Sequence, residues 1–459
     1  MDNVFSIMSQ AFKLSKDEKT AEEAYIMALQ LFKEGKLPND YHITFAWILY
    51  RRLKAHYQSL GSKESRQTLA LYLQLNTERP SVVHSSFLYL AISIKKTYPE
   101  FKFTKFFSMW GVDNFRDDDW MPFKAENTTI MSLAQKTIYQ AMAEMKTIND
   151  SDMLVMMNTL LTKATARYPK TAEHQRQLGI ILARQGLRKE AVNAYKQALL
   201  TEQKAYFWSE LAELIDTHEL RKAALCMTLT VQRNDDFVGA IHLRLAEMLI
   251  EEGDFPQALV DLNNVYATYS HNRWTIPADY YRLSAAIPQG TQPAQRSKAW
   301  LEQMAMPACD FLLDDLPMRI LLIEKFFNSK KGQEMATLKN PDGSSIVLPK
   351  KKLKVRKVLE PGDFIKARIK QDDQHRVALL GIDIASDDEA ASQFGKIVVV
   401  EGPISIKCNA AGKPFAFVRR CYVGHNLLAG LNDKDTVRVK AIQKDGKTTA
   451  ITHPIPISK

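Results

Sequence analysis

The stretch Gln177-Leu178-Gly179-Ile180-Ile181-Leu182-Ala183-Arg184-Gln185-Gly186, followed by Ala191, Tyr195 and Ala198, decides the architecture. Its pattern of small and apolar residues returns twice. A second window carries Trp208, Leu211-Ala212, Ile215, Ala224 and Val231; a third carries Leu245-Ala246, Leu249, Gly253, Ala258, Leu262 and Val265. With Leu178, Leu211 and Leu245 as equivalents, the steps are 33 and 34 residues. A fixed period of that size marks stacked repeats, each too small to bury its apolar face except against a neighbour.

This period, with small residues where two helices approach closely, resembles the tetratricopeptide repeat, a pair of antiparallel helices about 34 residues long. The match covers residues 172 to 270. No repeat ends in the family's proline, Ala212 replaces a glycine-like residue, and Glu219 stands where the other repeats have Gly186 and Gly253. The resemblance implies a superhelix whose concave face takes a peptide or protein segment. On the family's layout its inner positions are Arg176, Ile180, Arg184, Ser209, Glu213, Asp216, Leu243, Glu247 and Ile250. They lack the Lys/Asn clamp that some members use for a C-terminal carboxylate, and a groove filled by the chain's own N-terminal helices is the competing arrangement. Further helical pairs are expected from Pro277 through Phe327, so the repeat region is drawn as 169–328.

Residues 1–168 predict irregular helices, with apolar residues at three- and four-residue spacing (Ala24, Met27, Ala28, Leu31, Phe32). Breaks are expected at Gly35 to Asn39, at Gly61 to Lys63 and across Tyr98 to Phe123. The last holds Trp110 and Phe115-Arg116-Asp117-Asp118-Asp119-Trp120. Three adjacent carboxylates invite a metal, but neighbouring residues point in different directions. Capping and pairing with Arg116, with the tryptophans anchoring a loop, is the stronger reading.

After Asn328 the period changes from 3.6 to 2. Met335 to Leu338, Asn340-Pro341-Asp342-Gly343 and Ile346 to Leu348 predict a hairpin, the Pro-Asp-Gly supplying a fixed φ and a left-handed position. Residues 335–385 are expected to form a small β-barrel or hairpin module. Residues 386–393 are an acidic or helical interval, and 394–459 form a second strand set. There Lys413, Phe415 and Phe417 share one strand face while Ala416 and Val418 take the other. Arg419, Arg420, Tyr422-Val423 and His425 follow, then Arg438 and Lys440.

The order of these features resembles the cold-shock type of OB-fold over residues 394 to 453. Lys413, Phe415, Phe417 and Val418 match its first nucleic-acid motif and Tyr422-Val423 its second. Pro414 and Ala416 replace two glycines, His425 comes one residue late, and Ile397 to Val400 lack the family's early aromatic strand. The resemblance implies single-stranded nucleic-acid binding by Lys413, Phe415, Phe417, Arg419, Arg420, Tyr422, His425, Arg438 and Lys440. A single strand is favoured over a duplex, since stacking needs splayed bases, and of single-stranded RNA and DNA the expected partner is RNA. A weaker echo, Gly362-Asp363-Phe364-Ile365-Lys366-Ala367 against Asp433-Lys434-Asp435-Thr436-Val437-Arg438, suggests that 335–385 is a related module without the aromatic strand.

Charge agrees with that placement. From Pro349 to Lys459 there are 21 Lys and Arg against 12 Asp and Glu, a net of +9, which leaves +1 of the total +10 for everything before. Clustered cations gain by displacing counterions from phosphates. The composition, 46% hydrophobic and 25% charged over 459 residues, is that of core-forming domains. There is no run of about 18 apolar residues and no cleavable signal layout, so a cytoplasmic location without membrane contact is expected. The four cysteines form no CxxC pair, and GxxxxGK[ST], GxGxxG after a strand, HExxH and GxSxG are all missing, so no metal, cofactor or catalytic group is assigned. The expected class is therefore multidomain: an all-α, TPR-like helical-repeat superhelix followed by small all-β OB-type barrels. Its expected role is a non-catalytic adaptor joining a protein partner to single-stranded nucleic acid. By analogy of fold, such a chain resembles accessory factors of bacterial RNA metabolism or mobile-element conflict; the alternative is a purely protein-binding scaffold.

Overall fold

The computed structural model describes every residue except 1, 126–127, 233–237, 354, 356, 372–376 and 458–459. The chain forms two compact units, Met1–Ala305 and Met306–Lys459. The first is built of helices, apart from a small antiparallel hairpin of β1 (Phe123–Ala125) and β2 (Thr128–Ile130). Among the described residues no helix is long and apolar enough to cross a membrane.

The first unit begins with α1 (Asp2–Leu14), α2 (Ala21–Lys33), α3 (His42–Gln74), α4 (Val82–Thr97), α5 (Phe103–Trp110), α6 (Leu133–Met145) and α7 (Ser151–Arg167). Phe45, Leu49, Tyr72, Phe87, Phe107, Trp110, Ile138 and Leu161 are fully buried in one core, which extends to Ile181 of the first repeat. The break expected at Gly61 is a kink inside α3, where Gly61 takes φ 78°. The long interruption after Tyr98 contains α5 and two short 3-10 turns. Its carboxylates are taken up by two arginines: Asp117 pairs with Arg167 (2.9 Å), Asp118 with Arg116 (3.4 Å), and Asp119 accepts from the Arg116 guanidinium (3.0 Å) and backbone N–H (2.9 Å). Trp110 and Trp120 are buried on either side of Phe115.

The three windows of the repeat are three helical hairpins: α8 (Ala172–Arg184) with α9 (Arg188–Thr201), α10 (Ala205–Leu214) with α11 (His218–Val231), and α12 (Gly239–Glu251) with α13 (Phe255–His271). Close approach explains the small residues. A Cβ on Gly179 would lie 2.8 Å from the Tyr195 ring, inside any real contact distance. Gly186 and Gly253 both take φ +79° where α8 and α12 end, the left-handed position that closes a helix. The second repeat lacks that glycine; α10 is three residues shorter than α8 and α12 and leaves through extended Ile215. After α14 (Ala278–Ala285), Arg296 donates to both oxygens of buried Asp261 (2.7 and 2.8 Å) and to Gln257, fastening the chain onto α13. His242 Nδ1 meets the same carboxylate at 2.7 Å.

Helical pairing does not continue to Phe327. It ends with α15 (Lys298–Leu313), and β3 (Met318–Asn328) is a strand. Its apolar run hid this because both faces are covered: Leu321 and Ile323 join one core, Ile320 and Leu322 another. β3 is the centre of a five-stranded antiparallel sheet with β4 (Glu334–Lys339), β5 (Ser345–Pro349), β6 (Phe364–Gln371) and β7 (Val377–Ala385), in the order β5-β4-β3-β6-β7. The predicted hairpin is β4 and β5. Among the described residues no pairing joins β5 to β7, so this sheet is open there.

α16 (Asp387–Phe394) leads into β8 (Lys396–Cys408), β9 (Pro414–Val418), β10 (Cys421–Val423), β11 (Thr436–Lys444), β12 (Lys447–Ala450) and a short β13 (Ile455–Pro456). These do close. β8 pairs with β11 along its first half and β9 along its second, β9 pairs with β10, β10 runs parallel to β12, and β12 returns to β11. Ile404, Ala416, Val418, Val423, Val437, Val439 and Ala441 fill this five-stranded barrel. Ile397 and Ile442, on its outer wall, pack with Ile320, Leu322, Phe364 and Phe394, so the open sheet and the barrel share a core. The chain is thus an all-α repeat superhelix followed by an all-β barrel.

Candidate nucleic-acid interface and repeat face

Strand alternation sends Ala416 and Val418 into the barrel core and leaves Phe415 and Phe417 half-buried on its wall. Tyr422 on β10 lies directly across from Phe417 and is 41% exposed. The three rings form a triangle, with centroids 5.8 Å apart for Phe415 and Phe417, 6.1 Å for Phe415 and Tyr422, and 5.8 Å for Phe417 and Tyr422. Contact among rings in tilted and edge-on geometry holds each in place and leaves an aromatic surface facing out.

Cations surround this patch. Lys413 is exposed at the end of the Asn409–Lys413 turn that opens β9. Arg419 and Arg420 form the two-residue tip between β9 and β10, Arg419 in the left-handed region at φ 55° with its stem over Gly402. Lys407 and Ser405 on β8, not singled out by the sequence, pair with Phe415 and Phe417. The alternation in Ile404-Ser405-Ile406-Lys407 carries that signal, but only once β8 is known to bend from β11 onto β9. Among the described residues, Lys407, Lys413, Arg419 and Arg420 have no carboxylate partner within 4 Å, so their charge is unspent. From Lys396 to the C-terminus there are eleven Lys and Arg against four Asp and Glu.

The remaining nominated residues are not part of this cluster. Arg438 and Lys440 lie on β11, separated from β9 by β8. Arg438 pairs with Glu401 opposite it (2.5 Å). Lys440 reaches Asp387 of α16 (2.5 Å) and lies over the Phe364 ring, so it joins barrel to sheet. His425 is exposed in a 3-10 turn after β10, off the strand. Burial pushes the Cys421 thiol up to about 11, leaving it a core residue in place of a nucleophile.

The nominated repeat positions are largely occupied by the repeat itself. Arg176 grips Glu210 one repeat on with two hydrogen bonds (2.5 and 2.7 Å) and Glu173 (2.6 Å). Glu213 pairs with Arg244 (2.5 Å) and Glu247 with Arg282 (2.8 Å), so ion pairs stitch α8 to α10, α10 to α12 and α12 to α14. Arg184 donates to the carbonyls of Met145 and Ile148, and Asp216 pairs with Arg188. Leu243 and Ile250 pack against a repeat core, and the Ser209 hydroxyl donates to the Tyr206 carbonyl. Ile180 is half-buried.

A family model described as a domain of unknown function, DUF7017, matches residues 176–308. No curated protein matches the chain. Among solved structures, the chain is similar to one titled "TPR2AB-domain:pHSP90-complex of yeast Sti1", at 15% identity over 67% of this chain and 98% of that one, with a TM-score of 0.21. That score is too low to show a shared fold.

Proposed function

We propose that the chain is a non-catalytic adaptor in which a TPR-type helical body engages a protein while an OB-type barrel of cold-shock character holds single-stranded nucleic acid, RNA in preference to DNA. The observation that carries this reading is the ring triangle of half-buried Phe415 and Phe417 with exposed Tyr422, bordered by Lys407, Lys413, Arg419 and Arg420, which have no carboxylate partner among the described residues. Every base presents a π-face, and stacking on an aromatic side chain contributes about 1–3 kcal/mol per base, while the cations meet phosphates. The strand ring β8-β9-β10-β12-β11, with its one parallel contact between β10 and β12, supports an OB-type assignment.

Splayed bases are needed to cover three adjacent rings, which favours a single strand over a duplex. The repeats support the protein-binding half through their stacked hairpins, with Ile180 and the half-exposed Tyr206 beside the Arg176 ion pairs. Fluorescence anisotropy of labelled single-stranded RNA, single-stranded DNA and duplex RNA against the full chain tests the reading. Single strands are expected to bind more tightly than duplex and to weaken steeply from 50 to 200 mM salt. Absence of binding at 50 mM salt would refute the nucleic-acid half.

A further inference from the structure

Beside the ring triangle lies a cleft of about 370 Å³, walled on one side by β3, β4 and the β4–β5 turn and on the other by β10, β12 and the end of β11. Tyr422 belongs to both surfaces: its ring meets those of Phe415 and Phe417, and it also lines the cleft. The cleft is basic. Lys339, Lys444 and Lys447 line it against a single carboxylate, Glu324, which lies 3.6 Å from Lys339. Among the described residues Lys444 makes only a long 3.5 Å contact with the Pro341 carbonyl, and Asn340 and Asn426 add neutral polar groups.

The two β modules explain why the cleft lies where it does. Their strand orders correspond, β5-β4-β3-β6-β7 to β10-β9-β8-β11-β12. They also share a backbone lock: Gly362 N–H donates to the Ile323 carbonyl (2.8 Å) and Ile323 N–H to the Asp363 carbonyl (2.9 Å), as Lys434 does to Ile404 (2.8 Å) and Ile404 to Asp435 (2.9 Å). In both turns the aspartate side chain accepts from the N–H three residues earlier, at 2.8 Å. Aligning Ile323 with Ile404 puts Thr337 and Val347 where the barrel has Phe417 and Tyr422. The open sheet therefore has no ring pair to offer a base at these positions. What it brings to the barrel's aromatic face is the Lys339 edge.

We infer that the cleft of Lys339, Lys444 and Lys447 takes the sugar-phosphate backbone of the strand whose bases stack on Phe415, Phe417 and Tyr422, so that the strand passes over Tyr422 and between the two β modules. This rests on the stacking reading above. The cleft is at the small end of ligand pockets, which run from about 300 Å³ upward, so it suits a unit of nucleotide size and has no room for a duplex. Three lysines against one carboxylate suit phosphate oxygens, which a lysine meets as a point charge.

The test uses the full chain, a labelled 12-nucleotide RNA and a salt series. Lys444→Ala/Lys447→Ala is compared with Lys330→Ala/Lys331→Ala, a charge-matched pair in the exposed turn at the other end of β4. Circular dichroism is used to establish that both fold. Loss of two phosphate contacts is expected to flatten the slope of log K against log salt by about 1.4, at about 0.7 per phosphate for a single strand, with the control pair unchanged. Equal effects from both pairs, or an unchanged slope in the cleft pair, would overturn the cleft assignment. If the unaltered chain fails to bind at all, the stacking reading falls, and this inference with it.

Discussion

Asp261→Ala is expected to cost the helical unit about 3–5 kcal/mol, the range for removing one partner of a buried ion pair and leaving the other charged and unpaired. Asp261 is fully buried, and its carboxylate is shared by Arg296, itself 5% exposed, and by His242 Nδ1. Its removal strands two polar groups. Arg296 keeps its bonds to Gln257 and its place over the Trp300 ring at 4.4 Å, so the guanidinium cannot swing out to water without releasing the segment that it fastens to α13. Replacing both partners, as in Asp261→Leu/Arg296→Met, removes the unpaired charge, and its cost is expected to fall below that of Asp261→Ala alone. Urea unfolding followed by helical circular dichroism reads both values, and linear extrapolation gives the difference. A cost under about 1 kcal/mol for Asp261→Ala, or a double variant as damaged as the sum of its parts, would refute the idea that this network ties the end of the repeat together.

Two further expectations follow from the same packing. Gly179→Val places side-chain atoms into the Tyr195 ring, and a melting temperature lower by several degrees is expected, while Gly35→Ala, with open space around it, is expected to cost only its left-handed backbone strain. Burial holds His84 neutral and pushes its pKa down to about 4, between Tyr72 and the Trp110 carbonyl. The unfolded chain, with its histidine near 6.5, binds the proton more readily, so stability is full above that pH and falls as the pH drops toward 4, by about 3 kcal/mol in all. Thermal melts from pH 7 to 4.5 on the natural chain and on His84→Gln check this; an equally steep decline in both would remove His84 as its source.

The repeat was legible because its architecture is local: Gly179, Gly186 and Gly253 mark close approach and helix ends in the sequence itself. The ion-pair ladder is half visible in the sequence, since Arg176 and Glu210 stand 34 residues apart, but which inner positions serve the neighbouring repeat shows only in the fold. β3 was not legible. A strand buried on both faces shows no alternation, and only the two cores that flank it reveal it. At the candidate interface, alternation within the β9 sequence puts Phe415 and Phe417 on one face, while Tyr422 is named only through the resemblance of Tyr422-Val423 to a family motif. That Lys440 lies off the ring cluster is not visible in the sequence because its contacts, Asp387 and Phe364, are 53 and 76 residues away, and the place of Lys407 depends on the bend in β8.

The central claim concerns the rings, and Phe415→Ala/Phe417→Ala in the full chain tests it most directly. Binding of labelled single-stranded RNA is measured by anisotropy at 50 and 200 mM salt, with folding of the variant checked by circular dichroism. Loss of two stacking surfaces at about 1–3 kcal/mol each predicts a fall in affinity of at least tenfold, with the salt slope unchanged because no phosphate contact is removed. RNA affinity equal to that of the unaltered chain would contradict the account, since the ring triangle would then have no part in holding the strand.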